Sequence, residues 1–402
     1  MNVEMANNNN KENKVANAPL LRFPEFKDEW EETFLNDCSD YISERINTNK
    51  LSEEQYISTE NMLQNFYGVE NSNNVPNNSN VISFLEQDIL ISNIRPYLKK
   101  IWLANRNGGA STDVLVLRAK KNIEPSFLFY NLANDNFINH VMAGCKGVKM
   151  PRGDKHQILT YKLGIPSSSE QSKISDFLSL LDKRIELQKS AIEKLKSLKY
   201  AIREKLFSTE ESKESVVLSD VVERVTRKNK YNETNVPLTI SAQYGLVSQN
   251  IFFNKTIASE NLANYYLLKR GEFAYNKSYS SDYAWGAIKR LNKYNQGVLS
   301  PLYICFRPKS NVDSDYLSHY FETSKWHKAV SDIAGEGARN HGLLNISVID
   351  FFNTKHCITT DTSKQKRISK YLDTFDKRIE IETKLLDLYK AQKNFLLSKM
   401  FI

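Results

Sequence analysis

Apolar residues recur every three and four positions through two long stretches of the chain. Stepping from Ile174 alternately by four and three gives Ile174, Leu178, Leu181, Ile185, Gln188, Ile192, Leu195, Lys199, Ile202 and Leu206. The same walk from Ile368 gives Ile368, Leu372, Phe375, Ile379, Glu382, Leu386, Tyr389, Lys393, Leu396 and Met400, with its polar exceptions at the same two steps. A seven-residue repeat kept over four heptads without an internal Gly or Pro predicts two helices with coiled-coil seams. Each is roughly 50 Å long at ~1.5 Å per residue.

The two stretches are copies of one another. Gln171–Phe207 aligns without a gap on Gln365–Phe401, 194 positions later, with 13 of 37 positions identical. The shared residues include Asp182-Lys183-Arg184-Ile185-Glu186 and Asp376-Lys377-Arg378-Ile379-Glu380. Antiparallel pairing about midpoints near residue 190 brings Gln188 towards Glu382 and carries Lys199 away from Lys393. Parallel pairing would set the two lysines side by side in the seam, with repulsion and desolvation. Antiparallel pairing is therefore predicted; the alternative is that each helix packs only on its own globular neighbour.

Between the helices the likeness is fainter but ordered. Leu35 and Asp37 (FLNDCSDY) answer to Leu218 and Asp220 (VLSDVVER). Strands are predicted at Asp88–Asn93 and Glu272–Lys277, each opening on an acidic residue, and at Val114–Arg118 and Tyr303–Arg307, each ending in Arg. Helices follow near Pro125 and Asp313, then a Gly-marked basic turn, Ala143–Lys149 and Ala334–Arg339. The expected fold is α+β: two mixed globular domains alternating with two long helices. The expected boundaries are a disordered lead-in over 1–18, a domain over 19–169, a helix over 170–207, a linker over 208–213, a domain over 214–362 and a helix over 363–402. The Asn-rich tract Asn71–Asn80 is expected to be an exposed loop.

Charge changes the picture less than its total suggests. Of the net +8, Glu170–Phe207 supplies +3 and Ser363–Ile402 supplies +5, so the rest of the chain sums to zero. Any phosphate footprint on the globular domains must come from local clusters. The clusters are Arg95, Lys99, Lys100 and Arg106; Lys146, Lys149, Arg152 and Lys155; Arg227, Lys228 and Lys230; and Lys289, Arg290 and Lys293. Arg95, Lys149, Arg152, Lys277, Tyr279, Arg339 and Asn340 stand out, because each follows a predicted strand or lies at a Gly turn. The tract Tyr275–Trp285 mixes Tyr, Ser, Asn and Lys, suited either to DNA contact or to a polar hairpin.

Catalytic signatures are missing. There is no P-loop, G-x-G-x-x-G, H-E-x-x-H, G-x-S-x-G or Asn-Pro-Pro-aromatic run, and no Pro-Asp dipeptide to complete a nuclease-type metal site. The four cysteines have no disulfide or zinc spacing, which fits a reduced cytoplasm. No apolar run reaches membrane-spanning length. His319 and His327 are expected on a helix surface without a metal, and Trp102, Trp285 and Trp326 in the core.

From about Pro19 onwards the chain resembles the specificity subunits of type I restriction–modification enzymes. Leu21-Arg-Phe-Pro-Glu-Phe26 with Trp30 resembles the family's entry into its first domain. Ile165-Pro166, Glu170-Gln171, Ile174, Leu178, Leu181-Asp182 and Ile185 resemble its approach to the first helix, and Lys205-Leu-Phe207 that helix's end. Two departures are Pro166-Ser-Ser-Ser before Glu-Gln and Lys364 where the second copy would carry Glu.

The resemblance implies a non-catalytic subunit whose target recognition domains each read half of an asymmetric, interrupted sequence in double-stranded DNA. The helices set the distance between halves and dock two modification subunits; two restriction/motor subunits can join. It implies no cofactor on this chain, S-adenosylmethionine on the modification subunit, and ATP and Mg on the restriction subunit. The runner-up is the recognition subunit of a type IIB-like system, in which methylation and cleavage reside in one partner. A further alternative of another class is a coiled-coil scaffold that binds proteins.

Overall fold

The computed structural model describes residues 17–208, 214–242, 244–253, 262–279, 283–335 and 342–402. The chain divides into two compact units, residues 1–189 with 384–402, and residues 190–383. The lead-in lies almost wholly outside the described residues, as does most of the linker. The two long helices run Ser168–Leu206 and Thr362–Lys399. Every position of both heptad walks is buried or half-buried.

Neither helix stands apart from the compact units. In the first unit the core around Trp30, Leu115 and Phe127 takes in Ile174 and Leu178 from the start of the first helix and Leu397 and Met400 from the end of the second. In the second unit the core around Phe273, Tyr316 and Trp326 takes in Ile202 and Leu206 with Ile368 and Leu372. Each domain thus closes on one end of each helix.

At the centre of the first unit is an antiparallel sheet in the order Ser39–Tyr41, Val114–Ala119, Ile89–Ser92, Ile101–Leu103. The second unit repeats that order with Val222–Arg224, Ile304–Pro308, Phe273–Asn276, Ala287–Arg290. These strands read as continuous apolar runs because both faces are covered. Ile89, Ile91, Leu115 and Leu117 face the core that holds the helices, while Leu90, Val114 and Val116 face a second cluster around Trp102 and Phe84. In the second unit Phe273, Tyr275, Ile304 and Phe306 face the helices, and Ala274 and Cys305 face away. Tyr275 therefore belongs to the core, not to a polar DNA-contacting tract; Trp102 and Trp326 are buried, as expected.

The layers on the far face differ. The first unit has a second four-stranded sheet, Arg45–Asn47, Asn80–Phe84, Gly108–Ala110 and Tyr56–Ile57. The second has two separate pairs, Leu238–Ser241 with Gly245–Ser248 and Tyr266–Lys269 with Gln296–Leu299.

Buried polar groups show what the repeated sequence specifies. Gln171 accepts from the Glu124 backbone N–H at 2.9 Å and donates to the Pro166 carbonyl at 3.0 Å. Gln365 does the same with Asp313 and Thr359, both at 2.7 Å. Each glutamine ties the start of a long helix to the start of its domain's short helix, Pro125–Leu132 or Ser314–Tyr320. The acidic residues before the strands also have a shared task. Asp88 accepts from Leu85 N and Glu272 from Lys269 N, each locking a tight turn at 2.8 Å.

Glu170 is 1% exposed and holds the entry segment through a two-pronged contact from Arg22, 2.7 Å on each prong, with the Trp30 indole at 3.3 Å. The second copy, with Lys364 at this position, cannot repeat that clasp.

His356, on the strand Lys355–Ile358, lies between the Tyr320 hydroxyl at 2.9 Å and the Thr354 hydroxyl at 2.8 Å. Burial lowers its pKa to about 4. The unfolded imidazole takes up a proton near pH 6.5, whereas the folded one resists until about pH 4. Its contribution to stability is therefore complete above about pH 6.5 and lost as pH falls towards 4, a change on the order of 3 kcal/mol. Urea unfolding across that range should show a shallower loss for His356→Asn than for the wild type; parallel curves would refute the assignment. Replacing Gln365 with Leu strands two backbone groups and should cost about 2–3 kcal/mol in the same assay, and Gln171→Leu a similar amount.

Candidate nucleic-acid interface and helix pair

The heptad lysines are satisfied in the same way in both units. In the first, Lys393 meets Asp182 at 2.5 Å, and the Tyr130 hydroxyl donates to the other oxygen of that carboxylate at 2.9 Å. Arg184 lies 4.4 Å over the Tyr389 ring. In the second, Lys199 pairs with Asp376. Asp182 and Asp376 are equivalent in the repeat, as are Lys199 and Lys393, so each seam lysine takes the aspartate of the other copy's DKRIE run. Within the first unit Asp182 meets Lys393 and Arg184 meets Tyr389, so one helix index rises as the other falls. That is antiparallel pairing.

His319 stands where the first unit has Tyr130. It is buried, not on a helix surface, and bonds Asp373 at 2.9 Å. Burial pushes its pKa below the ordinary value against the opposing pull of Asp373. The inner face of its short helix turns onto the second long helix, which the sequence spacing of His319 and His327 could not reveal. His319, Asp373 and Asp376 offer ligand atoms within 4.8 Å of one another, but Lys199 already neutralises Asp376, so the group is a charge network.

The cations singled out in the sequence fall into two sets. Several are committed inside their own domains. Lys100 donates to the Thr59 carbonyl at 2.6 Å, and Lys99 pairs with Asp135 at 2.6 Å. Arg106 caps the Glu54 carbonyl and stacks 5.1 Å over Trp102. Lys289 pairs with Glu322 at 2.6 Å, and Arg290 with Asp315 at 2.6 Å. Lys277 reaches the Ile346 carbonyl at 3.4 Å.

The other set is exposed on loops. Arg95, in a left-handed conformation (φ 51°), and Lys149 make no ion pair among the described residues. Lys146 and Arg152 are exposed and pair with the half-buried Asp154 at 3.1 Å and Asp113 at 3.2 Å. Tyr279 is exposed. Arg339 and Asn340 lie outside the described residues.

These loops are built alike in the two units. In the first, Arg95 N–H donates to the Pro151 carbonyl at 2.8 Å, joining the segment after strand Ile89–Ser92 to the basic turn. In the second, Tyr279 N–H donates to the Gly342 carbonyl at 3.0 Å and Leu344 N–H to the Lys277 carbonyl at 2.9 Å. Sequence reasoning missed two features. Tyr67 lies in a cleft of about 260 Å³ in the first unit, its ring 4.7 Å from the Lys189 ammonium and 5.3 Å from that of Lys390. The loop tip at Val148 and Met150 is apolar, whereas the search there was for charge.

Two copies of one α+β plan, each closed by one end of both long helices, define a tandem-repeat α+β protein. Residues 27–197 match the family model of the type I restriction modification DNA specificity domain. The HindI specificity subunit of Haemophilus influenzae, a type I restriction enzyme component, is 27% identical over 183 residues, 43% of this chain and 40% of that protein. The chain thus aligns with well under half the length of that curated relative. The S subunit of a type I restriction–modification system from M. genitalium has the same fold, with a TM-score of 0.55 at 15% identity over 96% of this chain and 99% of that one. A chain from a structure addressing complex assembly and conformational transition of the type I R-M system gives 0.54 at 16% identity, over 92% and 97%. The matched family model thus covers under half of the chain, and the two solved structures share its fold.

A double-mutant cycle on Asp182→Asn and Lys393→Met should give a coupling of about 1–2 kcal/mol. Exchanging the two, Asp182→Lys with Lys393→Asp, should recover most of the loss; a swapped variant as unstable as either single change would refute the pairing.

Proposed function

We propose that this chain is the DNA-recognition subunit of a type I restriction–modification complex and performs no chemistry itself. Each unit reads one half of an interrupted sequence. The far-face layers differ between the units, which supports two unlike half-sites and an asymmetric target. The observation that carries the reading is the repeated four-stranded sheet, closed in each unit on one end of both long helices, because it gives two independent presentations of one scaffold to duplex DNA.

The long helices set the separation of the half-sites, and their solvent faces receive two modification subunits; restriction/motor subunits join in the complete enzyme. Exposed apolar residues at heptad intervals, Leu180 with Leu187 and Ile381 with Leu388 and Phe395, support such docking. S-adenosylmethionine is held by the modification subunit, and ATP and Mg by the restriction subunit. The complex works in the cytoplasm, on the DNA. A type IIB-like arrangement, with methylation and cleavage in one partner, would use this chain in the same way.

Replacing residues 214–362 with the corresponding domain of another specificity subunit should change one half of the methylated-adenine motif and leave the other intact. Sequencing of modified adenines in the host genome reads this directly; alteration of both halves would overturn modular reading. The purified chain alone should transfer no methyl groups to DNA, and any such transfer would refute the non-catalytic assignment.

A further inference from the structure

In the first unit, Lys146 and Arg152 exchange backbone hydrogen bonds in both directions at 3.0 Å, and Gly147–Pro151 closes the turn between them. Gly147 supplies the left-handed step at φ 93°. The base of this hairpin is fixed. Besides the Arg95 to Pro151 bond, Gly153 N–H donates to the Asn93 carbonyl at 3.1 Å. A Cβ on Gly153 would stand 2.8 Å from Asn93 Oδ1 and 3.2 Å from the Ile158 and Val141 side chains, so the backbone there has no slack.

The tip is the opposite. Val148 is 104% exposed and Met150 is 49% exposed, with Tyr97 at 49% on the adjoining turn. Four exposed cations lie on this hairpin or on the turn bonded to its base: Arg95, Lys146, Lys149 and Arg152. Lys146 and Arg152 are 84% and 57% exposed, so solvent screens their pairs with the half-buried Asp154 and Asp113 and phosphate can compete for the cations. A hairpin with a fixed base that presents bare apolar side chains together with exposed cations has the chemistry of a groove wedge, in which an aliphatic group enters between base pairs while the cations hold the backbone.

We propose that Val148, supported by Met150, inserts at a base step of the half-site read by the first unit and partly unstacks it. The inference rests on the DNA-recognition reading above and adds a mode of reading. Sequence preference at the wedged step then comes from the cost of opening it, which is lowest at pyrimidine–purine steps.

The test uses the full chain with its modification subunit and duplexes carrying the mapped target, with 2-aminopurine placed in turn along the first unit's half-site. Fluorescence should rise at one step on binding. Val148→Ser with Met150→Ser, both changes on exposed positions, should abolish the rise and weaken specific binding about tenfold without altering the salt dependence. Arg95→Ala with Lys149→Ala should instead lower the slope of log K against log salt by up to ~2. A wild-type complex with no sequence-specific binding would overturn the recognition reading and the wedge with it. Specific wild-type binding with flat fluorescence and an unaffected serine variant would overturn the wedge alone. So would a serine variant that binds DNA normally but loses its modification subunit, since the tip would then be a protein contact.

Discussion

Charge placed inside an apolar seam is the constraint on which the rest of this molecule depends. A lysine at a heptad core position is tolerable only where an acid meets it, and the repeat supplies one aspartate per copy, seventeen positions upstream of the lysine. Lys393 finds Asp182, and Lys199 finds Asp376. Leucine at both lysine positions would bury more apolar area yet leave register and direction to generic packing. The ion pairs trade some stability for a single alignment.

Within each unit the domain is fixed to the helix that enters it. Gln171 and Gln365 each couple the beginning of a long helix to the backbone that opens a short one, so a domain cannot rotate on its helix without stranding buried hydrogen-bonding groups. The sheet face turned to the helices is aromatic and aliphatic and filled in both units, whereas the far face carries whatever layer that unit has acquired. Tyr130 and His319 extend the same logic: equivalent positions on equivalent helices each hold an aspartate of the adjoining long helix, through different chemistry.

The sequence made the helices legible because a heptad is a local signal repeated many times, and made the central strands legible because double burial leaves unbroken apolar runs. The order of those strands was hidden, since pairing between residues such as Tyr41 and Leu117 depends on the whole fold. The interface was read less well. Lys289, Arg290 and Arg106 look in sequence like free cations, but carboxylates and carbonyls distant in the chain had already claimed them. The histidine pair misled for a related reason: two histidines eight apart invite a shared surface, yet a helix break between them lets His319 turn inward. Val148 went unnoticed because a lone valine carries no pattern; only its full exposure gives it meaning.

The central sheet has two faces under unequal obligations. One packs against the helices, and the sheet that carries it keeps the same strand order in both units even where Ile89, Ile91 and Leu117 give way to Phe273, Tyr275 and Phe306. The other answers to no part of the helical frame, and there one unit built a second sheet while the other built two ribbons. Change can therefore accumulate on the outward side without disturbing how the molecule is assembled. A lineage could replace the outward layer many times over while the frame that holds it stays the same.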